Sequence, residues 1–182
     1  MLFRYPDDPY DRIWLPWSVD AFDAWTEIST REKVQEMSSR FHVPSPVMQT
    51  AIVPRNGSRI AIEWNVVPNH AYPNPGLITI VYFAELQVVA TSAVRQFGAS
   101  INGKGWSEAP YTTQYLIPNA FYDPKPREEL SSTYNLTLDA TATSTLPPIL
   151  NAVELFTVVS IANVTTDADD GKLTSRIIDL GL

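Results

Sequence analysis

The sequence predicts an all-β fold, an antiparallel jelly-roll-like β-sandwich, on three observations. Apolar residues recur with period two, and the runs that carry them are rich in β-branched and aromatic residues. Pro, Gly, Asn and Asp separate each run from the next. The 15 prolines act in the same direction, because each removes a backbone donor and restricts its predecessor, which disfavours long helices.

In chain order, residues 29–38 are the one stretch with good helix formers and a candidate capping group, Ser29. Their apolar stripe is thin, so a short helix and a solvated turn or loop are equal alternatives. Strands are expected at 48–53, 58–67, 77–90, 95–102, 111–117, 133–141 and 150–161, spacings typical of a sandwich or barrel. In 58–67, Ile60, Ile62, Trp64 and Val66 share one face while Arg59, Glu63 and Asn65 share the other, the pattern of a half-buried antiparallel strand. The stretch 77–90 is apolar on both faces, with Ile78, Ile80, Tyr82, Ala84 and Leu86 opposite Val81 and Phe83, and reads as a central strand. The expected core is Ile60, Ile62, Trp64, Ile78, Ile80, Tyr82, Leu136, Leu138, Val153 and Leu155.

Composition narrows the function. A chain of 182 residues, 45% hydrophobic and 18% charged, is sized for one domain with a real core. Thirteen basic against 20 acidic residues leave a net charge of -7 and no electrostatic footprint for nucleic acid. Zero cysteines exclude disulfides, thiolate metal sites and cysteine nucleophiles. Two histidines, His42 and His70, are too few for a multi-histidine metal centre, so no cofactor and no metal are expected. No apolar run reaches the roughly 18 residues of a membrane span, and residues 1–8 lack the pattern of a secretory signal.

Four motifs carry a resemblance. They are Arg4-Tyr5-Pro6-Asp7-Asp8-Pro9-Tyr10-Asp11-Arg12-Ile13-Trp14, Val47-Met48-Gln49-Thr50-Ala51, Tyr82-Phe83-Ala84-Glu85-Leu86, and Ser144-Thr145-Leu146-Pro147-Pro148-Ile149-Leu150-Asn151-Ala152-Val153-Glu154-Leu155. Their order and spacing resemble the malectin-like ectodomain of plant leucine-rich-repeat receptor-like kinases. The resemblance implies a malectin-like, carbohydrate-binding-module-like sandwich, the second of two tandem lobes, over residues 1–165. An acidic C-terminal linker, 166–182, is expected after it. The first lobe, repeats, membrane span and kinase of that family have no counterpart in the 182 residues, so a receptor fragment is expected. It also implies an extracellular or plasma-membrane location and a non-catalytic role: recognition of a cell-wall carbohydrate or secreted peptide, or packing against a second lobe or co-receptor.

The candidate residues divide by chemistry. Arg12 has a planar fork suited to carboxylates or sugar hydroxyls; the favoured reading is a structural arginine bridging Asp11 or Glu85. Trp106, in the turn Asn102-Gly103-Lys104-Gly105-Trp106, with Tyr111 and Tyr115, offers aromatic faces for a ligand. Glu85 and Glu154, each in an apolar strand, raise the alternative of a carbohydrate-active enzyme, which needs carboxyl groups about 5 to 9.5 Å apart. The Asp167, Asp169, Asp170, Gly171 cluster fails the EF-hand pattern, with Ile177 where a bidentate glutamate belongs. Sequons at Asn56, Asn135 and Asn163 are glycosylation candidates, Asn135 facing away from the core by alternation. Finally, Tyr10, Trp14, Leu15 and Trp17 crowd one short segment, and some of them are expected at the surface of a self-associating chain.

Overall fold

A computed structural model describes residues 3–4, 8–16, 24–37, 41–66, 76–106, 109–127 and 131–158. Among these residues two antiparallel sheets form the sandwich. The larger contains β5 (Arg59–Asn65), β7 (Gln96–Ile101), β8 (Lys104–Gly105), β9 (Tyr111–Thr112) and β11 (Thr133–Ala140), in the order β5-β11-β7-β8 with β9 also on β7. The smaller contains β6 (Gly76–Phe83), β10 (Asn119–Tyr122) and β12 (Ala152–Val158), in the order β10-β6-β12. Two short pairs complete it: β1 (Phe3–Arg4) with β2 (Ile13–Trp14), and β3 (Trp25–Ser29) with β4 (Thr50–Pro54), the latter following a one-turn helix, α1 (Ser45–Met48).

Period-two patterning fixes the register of the larger sheet. Tyr134, Leu136 and Leu138 of β11 lie opposite Trp64, Ile62 and Ile60 of β5, and all six are buried. Sliding β11 by one residue would turn this apolar set to solvent, so the pairing is strongly specified. Trp64 stacks on Tyr134 with ring centroids 5.6 Å apart. The sheets meet through aromatic rings: Phe97 of β7 contacts Phe83 of β6 at 5.1 Å and Phe121 of β10 at 6.2 Å. Edge-to-face packing of this kind adds to the area term of burial.

The fold class agrees with the sequence expectation, and several details differ. No helix forms in 30–37. Val34 and Met37 are buried there, Thr30 caps the turn by accepting from the Glu32 amide, and the Gln35 amide donates to Leu116 at 2.9 Å. With two apolar anchors in the segment, tertiary partners outcompete a local helix. The strand expected over 77–90 ends at Phe83, because the Ala84 amide is taken by the Asn151 side chain and Glu85 turns inward to an arginine. In 111–117 only Tyr111–Thr112 is a strand; Leu116 sits at φ 56, a left-handed conformation that breaks the ladder. Ile78, Val153 and Leu155, expected in the core, are half-buried and pack against its margin, Ile78 beside exposed Phe156 of β12. Residues 166–182, and with them the expected linker, lie outside the described residues.

Candidate functional site

Three buried carboxylates organise the molecule, and each is held by an arginine. The first is Asp8. The chain turns back over residues 8–11, where the Asp11 amide donates to the Asp8 carbonyl and Asp11 takes φ 52, so one carboxylate accepts from the Tyr10 amide at 3.0 Å, the Arg12 Nε at 2.9 Å and the Trp14 indole at 3.0 Å. Arg12 spans onward to both oxygens of Glu154 at 3.1 Å and to the His42 carbonyl at 2.8 Å. Its guanidinium lies over Tyr10 and Trp14, 5.1 and 4.9 Å from their ring centroids. Arginine is therefore required here: a lysine has no fork with which to serve three acceptors in a plane.

The charges of this cluster are tuned in opposite directions. Burial disfavours ionised Asp8, but hydrogen bonds from Arg12, Trp14 and the Tyr10 amide outweigh it and hold the carboxyl below its usual range. Burial dominates at Glu154 and holds it above the usual range, despite the Tyr82 hydroxyl and Arg12. Burial, then the neighbouring Glu154 charge, keeps the Tyr82 hydroxyl protonated.

The second carboxylate, Glu85, follows β6, and its partner Arg95 precedes β7. Their side chains are 3% and 2% exposed and 2.7 Å apart, an ionic staple between the two sheets. Arg95 also donates to the Pro147 carbonyl, and Glu85 accepts from the Gln87 amide. The third, Asp123, accepts from the Thr79 amide, the Trp106 indole and Arg127. Asn151 serves as a neutral counterpart: its carbonyl takes the Ala84 amide at 2.8 Å while its NH2 donates to the carbonyls of Met48 and Thr50 at 2.8 and 3.0 Å.

Above the Glu85–Arg95 staple, at one end of the sandwich, opens a cleft of about 210 Å³. It is lined by Gln87, Val88, Val89 and Val94 from the segment after β6 and by Thr112, Thr113 and Tyr115 from the segment of β9. Of the aromatic candidates, Tyr115 is the one that lines it, 42% exposed. Trp106 is half-buried between Phe121 and Arg127, at 6.4 and 5.4 Å. Tyr111 packs its ring on Phe83 at 5.0 Å. Arg12 pairs with Asp8 and Glu154, where Asp11 or Glu85 was expected; the turn at residues 8–11 folds Asp8 back onto the guanidinium.

The paired-carboxylate alternative finds no free pair: Glu154, opposite Ile80, is engaged by Arg12 and the Tyr82 hydroxyl, and Glu85, 3% exposed, by Arg95. Asn56 is exposed in a turn beside Gly57, at φ 91. Asn135 sits half-buried in mid-strand with Oδ1 sealed from solvent and unpartnered. Asn163 and His70 lie outside the described residues. Among the described residues no group of three or more His, Asp or Glu side chains is placed to hold a metal ion, and no helix is long and apolar enough to cross a membrane. Sequence reasoning missed Arg95, Asp123 and Asn151. The signal for Arg95 was present: it is the first charge after Glu85, with nine uncharged residues between.

Comparison with known proteins agrees with this architecture. A leucine-rich repeat receptor-like serine/threonine-protein kinase of Arabidopsis thaliana is 32% identical over 168 residues, 92% of this chain and 18% of the kinase. A second probable LRR receptor-like kinase of the same plant is 32% identical over 177 residues, 96% of this chain and 20% of its own length. The chain thus spans about a fifth of the relatives it matches. The ANX1 ectodomain of Arabidopsis thaliana has the same fold with a TM-score of 0.60 at 14% identity, covering 83% of this chain and 44% of that one. A Bacteroides uniformis beta-glucuronidase shares the fold at 0.57 and 16% identity, over 86% of this chain and 17% of the enzyme. The malectin-like domain pattern matches residues 1–158. The chain belongs to the malectin-like domain family.

Proposed function

We propose that this chain is a non-catalytic, extracellular ligand-recognition module of a receptor ectodomain. One observation carries the reading: nearly the whole chain corresponds to a fifth of each receptor-like kinase relative, so the shared part is a separable β-sandwich. The core chemistry supports it, since Glu85, Glu154, Asp8 and Asp123 are each engaged by an arginine and serve the framework. Ligand contact is assigned to the loops at the sandwich end, where scaffolds of this class present variable side chains. Tyr115 is the proposed contact; Arg12, Trp106 and Tyr111 are proposed as framework. Asn56, exposed in its turn, is the proposed glycan acceptor.

Isothermal titration against cell-wall oligosaccharides and against secreted peptides tests the proposal, with Tyr115→Ala alongside. Saturable binding that the substitution weakens is expected. Absence of binding to both panels would overturn direct recognition.

A further inference from the structure

The sandwich-end cleft has a chemistry more specific than its position. Residues 86–94 and 111–117, which form its walls, contain no charged side chain in a protein of net charge -7. The two charges at its floor, Glu85 and Arg95, are spent on each other. A charged ligand group entering here would lose its water and find no counter-charge. Apolar side chains that line the cleft are exposed: Val88 is 83% exposed, Val89 37% and Tyr115 42%.

Size narrows the ligand further. Pockets for whole small molecules start at about 300 Å³, whereas this cleft has room for one residue-sized group. Tyr115 is also held in place: the next residue, Leu116, is fixed at φ 56 by its amide donating to the Glu85 carbonyl at 2.8 Å and its carbonyl accepting from Gln35 at 2.9 Å. Non-glycine residues in this region persist only where the surroundings over-determine them. Pocket, apolar rim and fixed aromatic wall match the anatomy of an interface anchor site.

We infer that the cleft receives a single uncharged apolar side chain, aliphatic or aromatic, presented on an extended segment of a partner protein. The polar side chains beside the cleft are already engaged, Gln87 Oε1 accepting from Arg95, Thr112 Oγ1 accepting from Gln96 and the Thr113 hydroxyl donating to the Arg95 carbonyl, so an apolar group is the one that fits. The inference rests on the recognition reading above and names its partner chemistry.

Solution NMR of the isotope-labelled chain provides the test, using capped pentapeptides Gly-Ser-X-Ser-Gly with Leu, Phe, Asp or Lys at X, and cellotetraose as the carbohydrate arm. The Leu and Phe peptides are expected to shift the Val88 and Val89 methyls and the Thr113 amide saturably, while the Asp and Lys peptides leave them unmoved. Val88→Asp, at an exposed position that leaves the ion pair intact, is expected to weaken the Leu peptide at least about tenfold; Tyr115→Ala is the second variant, and unchanged amide signals elsewhere establish that both are folded. No response to Leu or Phe, an equal response to Asp or Lys, or cellotetraose alone moving these residues would each overturn the inference. Saturable shifts confined to another surface would overturn the cleft but leave the recognition reading standing; silence from every probe at every residue would count against both.

Discussion

At the scale of single residues, the decisive distinction is between buried and exposed ion pairs. Arg12 joins Asp8, whose side chain is fully buried, to Glu154. Arg12→Ala strands both carboxylates and is expected to cost about 3–5 kcal/mol in urea unfolding. Arg59 pairs with Asp139 on the exposed face of β5 and β11, so Arg59→Ala is expected to leave the unfolding midpoint unchanged. A midpoint that moved equally in the two variants would refute the clasp. Acidity separates the two carboxylates of the clasp as well. Glu154 is raised in the folded state, so its charged form costs stability at neutral pH, and that cost disappears as pH falls toward its unfolded value of 4.5. Asp8 is lowered, so its contribution is intact above 3.8 and is lost as pH falls below that through its folded value. Relative to wild type, Glu154→Gln should remove a stability gain between neutral pH and 4.5, and Asp8→Asn should remove a loss below 3.8, both measured by chemical unfolding at stepped pH. Such residue roles were partly legible. A paired Arg12 was readable from the acidic residues around it, whereas Glu154, 142 positions away, is brought there by the fold alone.

Among elements, strands were legible where one face is apolar and the other polar, as in β5 and β11, because alternation reports which side meets the core. Their ends were not, since termination depends on distant partners. β6 stops where Asn151 captures the Ala84 amide, and that residue arrives from 67 positions downstream. β10 was missed because Asn119–Tyr122 is too short to show a period and exists by pairing with Phe83 to Ile80. Two substitutions test these junctions. Asn151→Ala leaves an amide and two carbonyls without their partner and is expected to cost about 3 kcal/mol in urea unfolding. Gly76 opens β6 against Pro126, where an added Cβ would lie 2.4 Å from the proline Cβ. Gly76→Ala should therefore destabilise by about 1–3 kcal/mol, and retention of wild-type stability would show that residues 126–127 can yield.

For the molecule as a whole, one sheet face remains apolar on the outside. Tyr122, Phe156 and Val158 are exposed on the outer side of the smaller sheet, at 41, 43 and 37%, beside half-buried Ile78. Near the N-terminus Tyr10 and Leu15 are exposed too, as the crowding there predicts, while Trp14 is half-buried against Tyr82 and Trp17 lies outside the described residues. The β12 half of this surface was not legible, because an apolar strand reads as core until the fold shows that nothing described covers it. The chain is expected to sediment as a concentration-dependent mixture, and Phe156→Ser to shift it toward monomer; a monomer at every concentration would refute this. The inter-sheet staple has a different consequence, for engineering. Because Glu85 and Arg95 clamp the two ends of the 86–94 loop together, with Leu86 buried and Val94 bonded to Thr145 and Leu146, the exposed residues 87–92 between them carry little of the framework's strength. Doubling a loop costs only about 0.6 kcal/mol in closure entropy, so this segment is a natural graft point, where foreign sequences can be displayed or randomised on the sandwich without re-solving its core.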